Sequence, residues 1–171
     1  MAEIVTSRAG RYLDRPEALS AINTITALLR GAVDEGDAAG SALFGPTTLL
    51  LDALDSWPVW PALYARWELG LLSALGFGLD LESCALSGAN DGLTHVSPKT
   101  GRAVRGSEAE GYVDRLFPLP AFLIDPSALA MAEDIKDALQ LTGYFLEERL
   151  FSSVHKPLPE VRARLVPKLI G

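Results

Sequence analysis

The chain has 171 residues, a formal net charge of −7 and 49% hydrophobic residues. This length and apolar content predict one domain with its own core and exclude a disordered chain. The acidity argues against a protein that holds nucleic acid with its whole surface, because phosphate contacts require cations. No run approaches the roughly 20 apolar residues that cross a bilayer, so no membrane segment is expected.

The N-terminal segment and the cysteine content predict a cytoplasmic protein. Residues 1–16 mix charges throughout and lack the apolar centre of a secretory signal. The sequence contains a single cysteine, Cys84, so no disulfide can form within one chain. This composition is typical of proteins in a reducing compartment.

Residues 1–76 predict helices. Pro16 is placed to open a helix that reaches Arg30, because proline is tolerated in the first turn. The glycine-rich, acidic run 31–40 is then expected to be a loop. Pro46 is expected to open the next helix.

The clearest helical pattern runs from Val59 to Leu75. Its large apolar side chains recur at helical spacing, and Gly76 stands where a C-terminal cap is expected. The residues on this stripe are Trp60, Leu63, Tyr64, Trp67, Leu71 and Leu75.

Residues 77–120 change character, with more glycines and turn signals and little helical periodicity. Two short strands are predicted, Leu93–Ser97 and Arg102–Val104, joined by the turn 98–101. We interpret the segment as a glycine-rich β-hairpin insert, called the insert below.

Residues 121–171 return to a helical pattern. Asp125-Pro126-Ser127 predicts the start of a helix that extends to Phe151. Its expected buried face comprises Leu129, Ala132, Ile135, Leu139, Leu146 and Leu150.

A last short helix is predicted from Pro159 or Glu160. Val161, Leu165 and Leu169 are expected to face inward, and Arg162, Arg164 and Lys168 outward. The predicted fold class is therefore mainly α: a helical domain of residues 1–76 and 121–171, interrupted by the insert.

The residues that could carry chemistry are few. Cys84 could be a nucleophile or a metal ligand, but neither His95 nor His155 lies near it in sequence. No Gly-x-Ser-x-Gly, Walker or Rossmann pattern occurs. We therefore predict no enzyme, no metal and no cofactor, with a hydrolase using His95 or Cys84 as a residual hypothesis.

Basic residues gather in two places. Lys99, Arg102 and Arg105 surround the predicted hairpin turn, where they could grip phosphate or a carboxylate terminus, or simply be solvated. A second group lies in the last quarter of the chain, where this charge asymmetry favours an acidic partner. It comprises Arg149, Lys156, Arg162, Arg164 and Lys168.

The order of several motifs resembles the C-terminal region of the bacterial recombination mediator family RecO. The hallmark is the run 66–81 (RWELGLLSALGFGLDL), in which Arg-aromatic-Glu-Leu precedes Leu-Gly-Phe-Gly. Further matching segments are 84–88 (CALSG), 97–103 (SPKTGRA), 116–120 (LFPLP) and 156–158 (KPL). The resemblance covers essentially the whole chain.

The sequence departs from the family in two respects. Full-length members begin with an OB-fold, so the resemblance implies that this chain is a fragment that lacks it. Many members also carry four cysteines in the insert, spaced as a zinc site. Here Ser87 follows Cys84 at that spacing, and the second pair is expected to be replaced within Val104–Ser107, so the insert is a degenerate, zinc-ribbon-like one.

The resemblance implies a non-enzymatic role in recombinational DNA repair. Family members bind single-stranded DNA-binding protein and the partner RecR, help to load RecA and anneal strands. The acidic, apolar tail of single-stranded DNA-binding protein is expected to dock at Arg66 and Trp67. Lys99, Arg102 and Arg105 are the nucleic-acid candidates, with weak binding of single-stranded DNA expected. An autonomous DNA-binding module using this hairpin is the alternative.

Overall fold

In the computed structural model, which describes residues 8–171, the N-terminal part is helical. A short turn of helix, α1 (Arg8–Arg11), precedes α2 (Pro16–Ala32), α3 (Ala38–Asp52) and α4 (Val59–Ala74). The prediction that residues 1–16 lack a secretory signal lies partly outside the described residues, which begin at residue 8.

Helix α3 begins at Ala38, so the prediction of a start at Pro46 is wrong. The Asp37 carboxylate accepts a hydrogen bond from the Ala39 N–H at 3.0 Å and caps the helix earlier. Pro46 lies inside the helix. The expected loop 31–40 shrinks to residues 33–37.

The insert contains a three-stranded antiparallel sheet rather than a simple hairpin. Strand β1 (Leu93–Val96) lies between β2 (Ala103–Arg105) and β3 (Phe117–Pro118). The Phe117 ring packs 5.1 Å from the Tyr144 ring and thereby joins the sheet to the next helix. The mainly α fold with a small β insert is confirmed, while the domain limits at 76 and 121 stay predictions.

Helix α5 (Ala132–Phe145) begins later than predicted. The Asp125 carboxylate accepts hydrogen bonds from the N–H and hydroxyl of Ser127, which closes a local turn instead of capping a helix. The helix is capped where Asp134 accepts the Met131 N–H at 2.9 Å. Leu129 is consequently 87% exposed, against the prediction that it is buried.

The C-terminal residues extend α5 and form one last helix. Helix α5 continues through a wider π-helical stretch (Leu146–Phe151), and α6 (Glu160–Ile170) packs against α2 and α5. The prediction that Arg162 faces outward is wrong: it is 7% exposed and pairs with Glu68 of α4 at 2.6 Å. Among residues 8–171, no helix combines the length and apolarity needed to cross a membrane.

Candidate partner-binding surfaces

Arg66 projects from α4 and holds the segment that follows the sheet. Its Nε and Nη2 groups donate hydrogen bonds to the Phe122 carbonyl at 2.9 and 2.6 Å, and Nη2 lies 3.5 Å from the Asp125 carbonyl. The guanidinium also lies over the Phe122 ring. Its Nη1 group has no hydrogen-bond partner among residues 8–171.

The segment that Arg66 holds exposes apolar side chains. Ile124 is 41%, Leu129 87% and Met131 68% exposed. We call these three side chains together with Arg66 the Arg66 surface. Arg66 contacts the backbone on both sides of Ile124, and a cation close to an exposed apolar side chain suits a ligand that carries both carboxylates and a large apolar group.

Trp67 belongs to the core. It is 3% exposed, its ring stacks on Tyr64, and its indole N–H donates a hydrogen bond to the Thr47 hydroxyl at 2.9 Å. Trp67 therefore connects α4 to α3 and offers no exposed ring. That Trp67 contributes to partner binding stays a prediction.

The three basic residues of the hairpin turn are not equivalent. Arg102 pairs with Asp80 at 3.3 Å, and Arg105 pairs with Asp91 at 3.2 Å. The exposed Lys99 side chain has no ion pair or hydrogen bond within the described part of the chain. Local carboxylates therefore neutralise two of the three charges.

The second basic group of the sequence is largely used for internal contacts. Arg149 donates hydrogen bonds to the carbonyls of Lys99 at 2.7 Å and Pro98 at 3.4 Å. Lys156 donates to the Gly31 carbonyl, and Arg162 is buried. These residues hold turns and helices in place.

A groove of about 380 Å³ separates the hairpin turn from the segment 112–116. Its apolar wall is formed by Leu86, Tyr112 and Leu116, and none of its lining residues is acidic. We call it the insert groove; its cations are Lys99, Arg102 and Arg115. Sequence reasoning missed Arg115, because its place in the same groove as Lys99 follows from the fold and not from a sequence motif; it lies in the 3-10 turn Val113–Arg115.

Cys84 joins two turns of the insert. Its side chain is fully buried, its Sγ lies 3.0 Å from Glu108 Oε2, and the backbone N–H groups of Leu86 and Arg105 point at the sulfur. Hydrogen bonds from Cys84 and then Ser87 lower the pKa of Glu108. Glu108 lies one residue beyond the range 104–107 expected for the second pair, and the replacement of that pair stays a prediction.

No catalytic arrangement is visible in the described part of the chain. His95 is half-buried beside Thr94, its pKa lowered by burial, whereas His155 is exposed. Neither ring is hydrogen-bonded to Cys84. Among residues 8–171, no group of three or more His, Cys, Asp or Glu side chains is placed to hold a metal ion.

Comparison with known proteins identifies close relatives. Residues 13–157 match the family described as "Recombination protein O C terminal". The DNA repair protein RecO of Hyphomonas neptunium is 67% identical over 99% of this chain and 70% of its own length. The protein of the same name from a Ruegeria species is 46% identical over 98% of the chain and 69% of its own length. No solved structure matches the chain.

Proposed function

Since this chain belongs to the RecO family of DNA repair proteins, we propose that it acts as a non-enzymatic mediator of recombination. Family membership itself assigns it a role in DNA repair and recombination. The observation that carries the proposal is the family match over residues 13–157. In this role the protein works in the cytoplasm, binds single-stranded DNA-binding protein and RecR, and supports RecA loading and strand annealing.

The Arg66 surface is the proposed docking site for the acidic, apolar tail of single-stranded DNA-binding protein. The free Nη1 group of Arg66 can take a carboxylate, and the exposed Ile124 and Met131 offer apolar contact. Trp67 acts as a buried support that holds α4 against α3. This arrangement supports a tail whose acidic residues stand beside an apolar end.

Titration calorimetry with a tail peptide tests this proposal. Arg66→Ala should weaken peptide binding by about 1.5–3 kcal/mol, which is the range for hydrogen bonds to charged groups. Arg30→Ala is the charge-matched control, because it removes one exposed cation without removing a hydrogen bond within the described part of the chain. Circular dichroism should show both variants folded at the titration temperature.

Two outcomes would contradict the docking proposal. Equal affinities of wild type and Arg66→Ala would remove Arg66 from the site. Binding to neither form would remove the tail site from this chain.

The alternative proposal is an autonomous DNA-binding module that uses Lys99, Arg102 and Arg105. The unpaired Lys99 favours it, whereas the ion pairs of Arg102 with Asp80 and of Arg105 with Asp91 weaken it. Phosphate would have to compete with both carboxylates. Affinity for single-stranded DNA and its salt dependence decide between the two proposals.

A further inference from the structure

The insert groove concentrates cations that lack internal partners. Among residues 8–171, four basic side chains make neither an ion pair nor a hydrogen bond: Arg30, Lys99, Arg115 and Lys168. Two of these, Lys99 and Arg115, line the insert groove. The groove has no acidic lining residue, and Asp80 pairs only with Arg102 in the described part of the chain, so in a chain of net charge −7 the unpaired Lys99 and Arg115 make it a localised site for an anionic group.

Both walls of the insert groove are held in place by hydrogen bonds. On one side, Arg149 binds the carbonyls of Pro98 and Lys99, and the Gly101 N–H donates to the Ser97 carbonyl at 2.8 Å. On the other side, the Tyr112 hydroxyl donates to the Glu108 carbonyl. Fixed walls reduce the ordering cost of binding.

The groove also offers exposed apolar surface. Leu86 is 58% and Tyr112 39% exposed, although both line a concave surface. Exposed apolar groups that are rimmed by cations mark a site for an amphipathic ligand. A ligand with a large apolar side chain would cover them.

We propose that the insert groove docks an extended peptide in which carboxylates flank a large apolar side chain. Lys99 and Arg115 bind the carboxylates, and the apolar side chain packs against Leu86, Tyr112 and Leu116. Two unpaired cations match a few carboxylates, whereas a nucleic acid strand presents a phosphate at every nucleotide. Two of the three side chains of the apolar wall, Leu86 and Leu116, are aliphatic and fit a side chain better than a flat base. This site is separate from the Arg66 surface and does not depend on it.

Fluorescence anisotropy with a labelled peptide Gly-Asp-Asp-Leu-Phe-Asp-Asp-Gly tests the proposal. The double variant Lys99→Ala/Arg115→Ala should lower affinity about tenfold or more, which corresponds to about 1.4 kcal/mol. The matched control Arg30→Ala/Lys168→Ala removes the same charge from the other two unpaired cations and should change affinity less than about twofold. Leu86→Ser should weaken binding without changing the charge.

Three further measurements make the result decisive. A peptide with Asn in place of every Asp should bind at least about tenfold more weakly. The loss of affinity caused by Lys99→Ala/Arg115→Ala should persist in an Arg66→Ala background, which separates this site from the tail-docking proposal. Unfolding temperatures should show that all of these variants are folded during the titrations.

Several results would overturn the proposal. Equal losses in the two double variants would show general charge attraction, and equal binding of the Asn peptide would exclude carboxylate recognition. Binding of an oligo(dT) 20-mer that is lost in Lys99→Ala/Arg115→Ala, with no peptide binding, would assign the groove to nucleic acid. Failure of the wild type to bind the Asp peptide would also reject it.

Discussion

Arg162 lies where α4, α5 and α6 meet, and its contacts are those of a buried structural residue. Its guanidinium binds both carboxylate oxygens of Glu68, at 2.6 and 3.0 Å, and donates to the Leu139 carbonyl at 2.8 Å. The Thr142 hydroxyl lies 3.1 Å from the same carboxylate. Gly143 leaves room for it, because a Cβ there would stand 2.7 Å from Arg162 Nη1. The charge of Glu68 is thus compensated by one cation.

Replacing Arg162 should destabilise the fold far more than replacing Arg164, which lies on the same helix. Arg162→Ala should lower the free energy of unfolding by about 3–5 kcal/mol, because it leaves a carboxylate buried without its partner. Arg164→Ala, whose side chain is exposed and lies 3.6 Å from Glu160, should cost about 0.5 kcal/mol or less.

Urea unfolding of the two arginine variants, followed by circular dichroism, measures this difference. Both substitutions remove one arginine from α6, so helix propensity changes equally. Similar costs for the two would contradict the structural role assigned to Arg162.

At the scale of elements, the sequence correctly predicts the helices and strands whose sequence patterns lie within the element itself. The stripe from Trp60 to Leu75 predicts α4 almost to its observed end, and apolar residues around a turn predict β1 and β2. Strand β3 has two residues, too few for any alternation, and exists only because it pairs with β1. The run Asp125-Pro126-Ser127 predicts the start of a helix, but the Asp125 carboxylate accepts the Ser127 hydroxyl and closes a turn instead.

The candidate sites are less predictable, because their contacts join distant residues. The run around the hairpin turn correctly marks Lys99 as an exposed cation. It cannot show that Asp80 neutralises Arg102 or that Arg115 faces the same groove. Likewise, helical spacing places Arg162 among exposed cations, whereas its partner Glu68 comes from another helix.

Two turns of the insert have the residue spacing of a four-cysteine zinc site. Cys84 and Ser87 are three residues apart, as are Arg105 and Glu108, and the Cys84 sulfur accepts the Arg105 backbone N–H and lies 3.0 Å from the Glu108 carboxylate. Cys-x-x-Cys pairs on two adjacent turns form tetrahedral zinc sites with four thiolates. In this chain a thiol–carboxylate hydrogen bond joins the two turns instead.

The triple variant Ser87→Cys/Arg105→Cys/Glu108→Cys should therefore bind one zinc ion per chain. Cobalt substitution should give the absorption bands of tetrahedral thiolate coordination, and a chelator should lower its unfolding temperature. The control Arg105→Ser/Glu108→Ser, which keeps Cys84 and Ser87, should show neither effect. A folded triple variant without thiolate-to-cobalt bands would refute this view of the two turns.

At the scale of the whole molecule, acidic charge limits the binding of nucleic acid. The net charge is −7, and seven ion pairs within residues 8–171 already use basic side chains. Of the eight basic side chains without an ion pair in this part of the chain, four donate hydrogen bonds to backbone carbonyls. The other four are divided, with Lys99 and Arg115 in the insert groove and Arg30 and Lys168 elsewhere. A single strand can therefore meet few cations at once.

This chain should bind an oligo(dT) 20-mer only weakly, with a Kd above about 1 µM at about 150 mM salt, as is typical of non-specific binding. Because each neutralised phosphate adds about −0.7 to the salt slope of a single strand, two or three contacts predict a slope near −2. Anisotropy titrations at several salt concentrations give both quantities. A submicromolar Kd with a slope steeper than about −5 would require seven or more phosphate contacts. Such a result would require further cations beside Lys99 and Arg115, among them Arg102 and Arg105 released from Asp80 and Asp91, and it would favour the autonomous DNA-binding module over the mediator role.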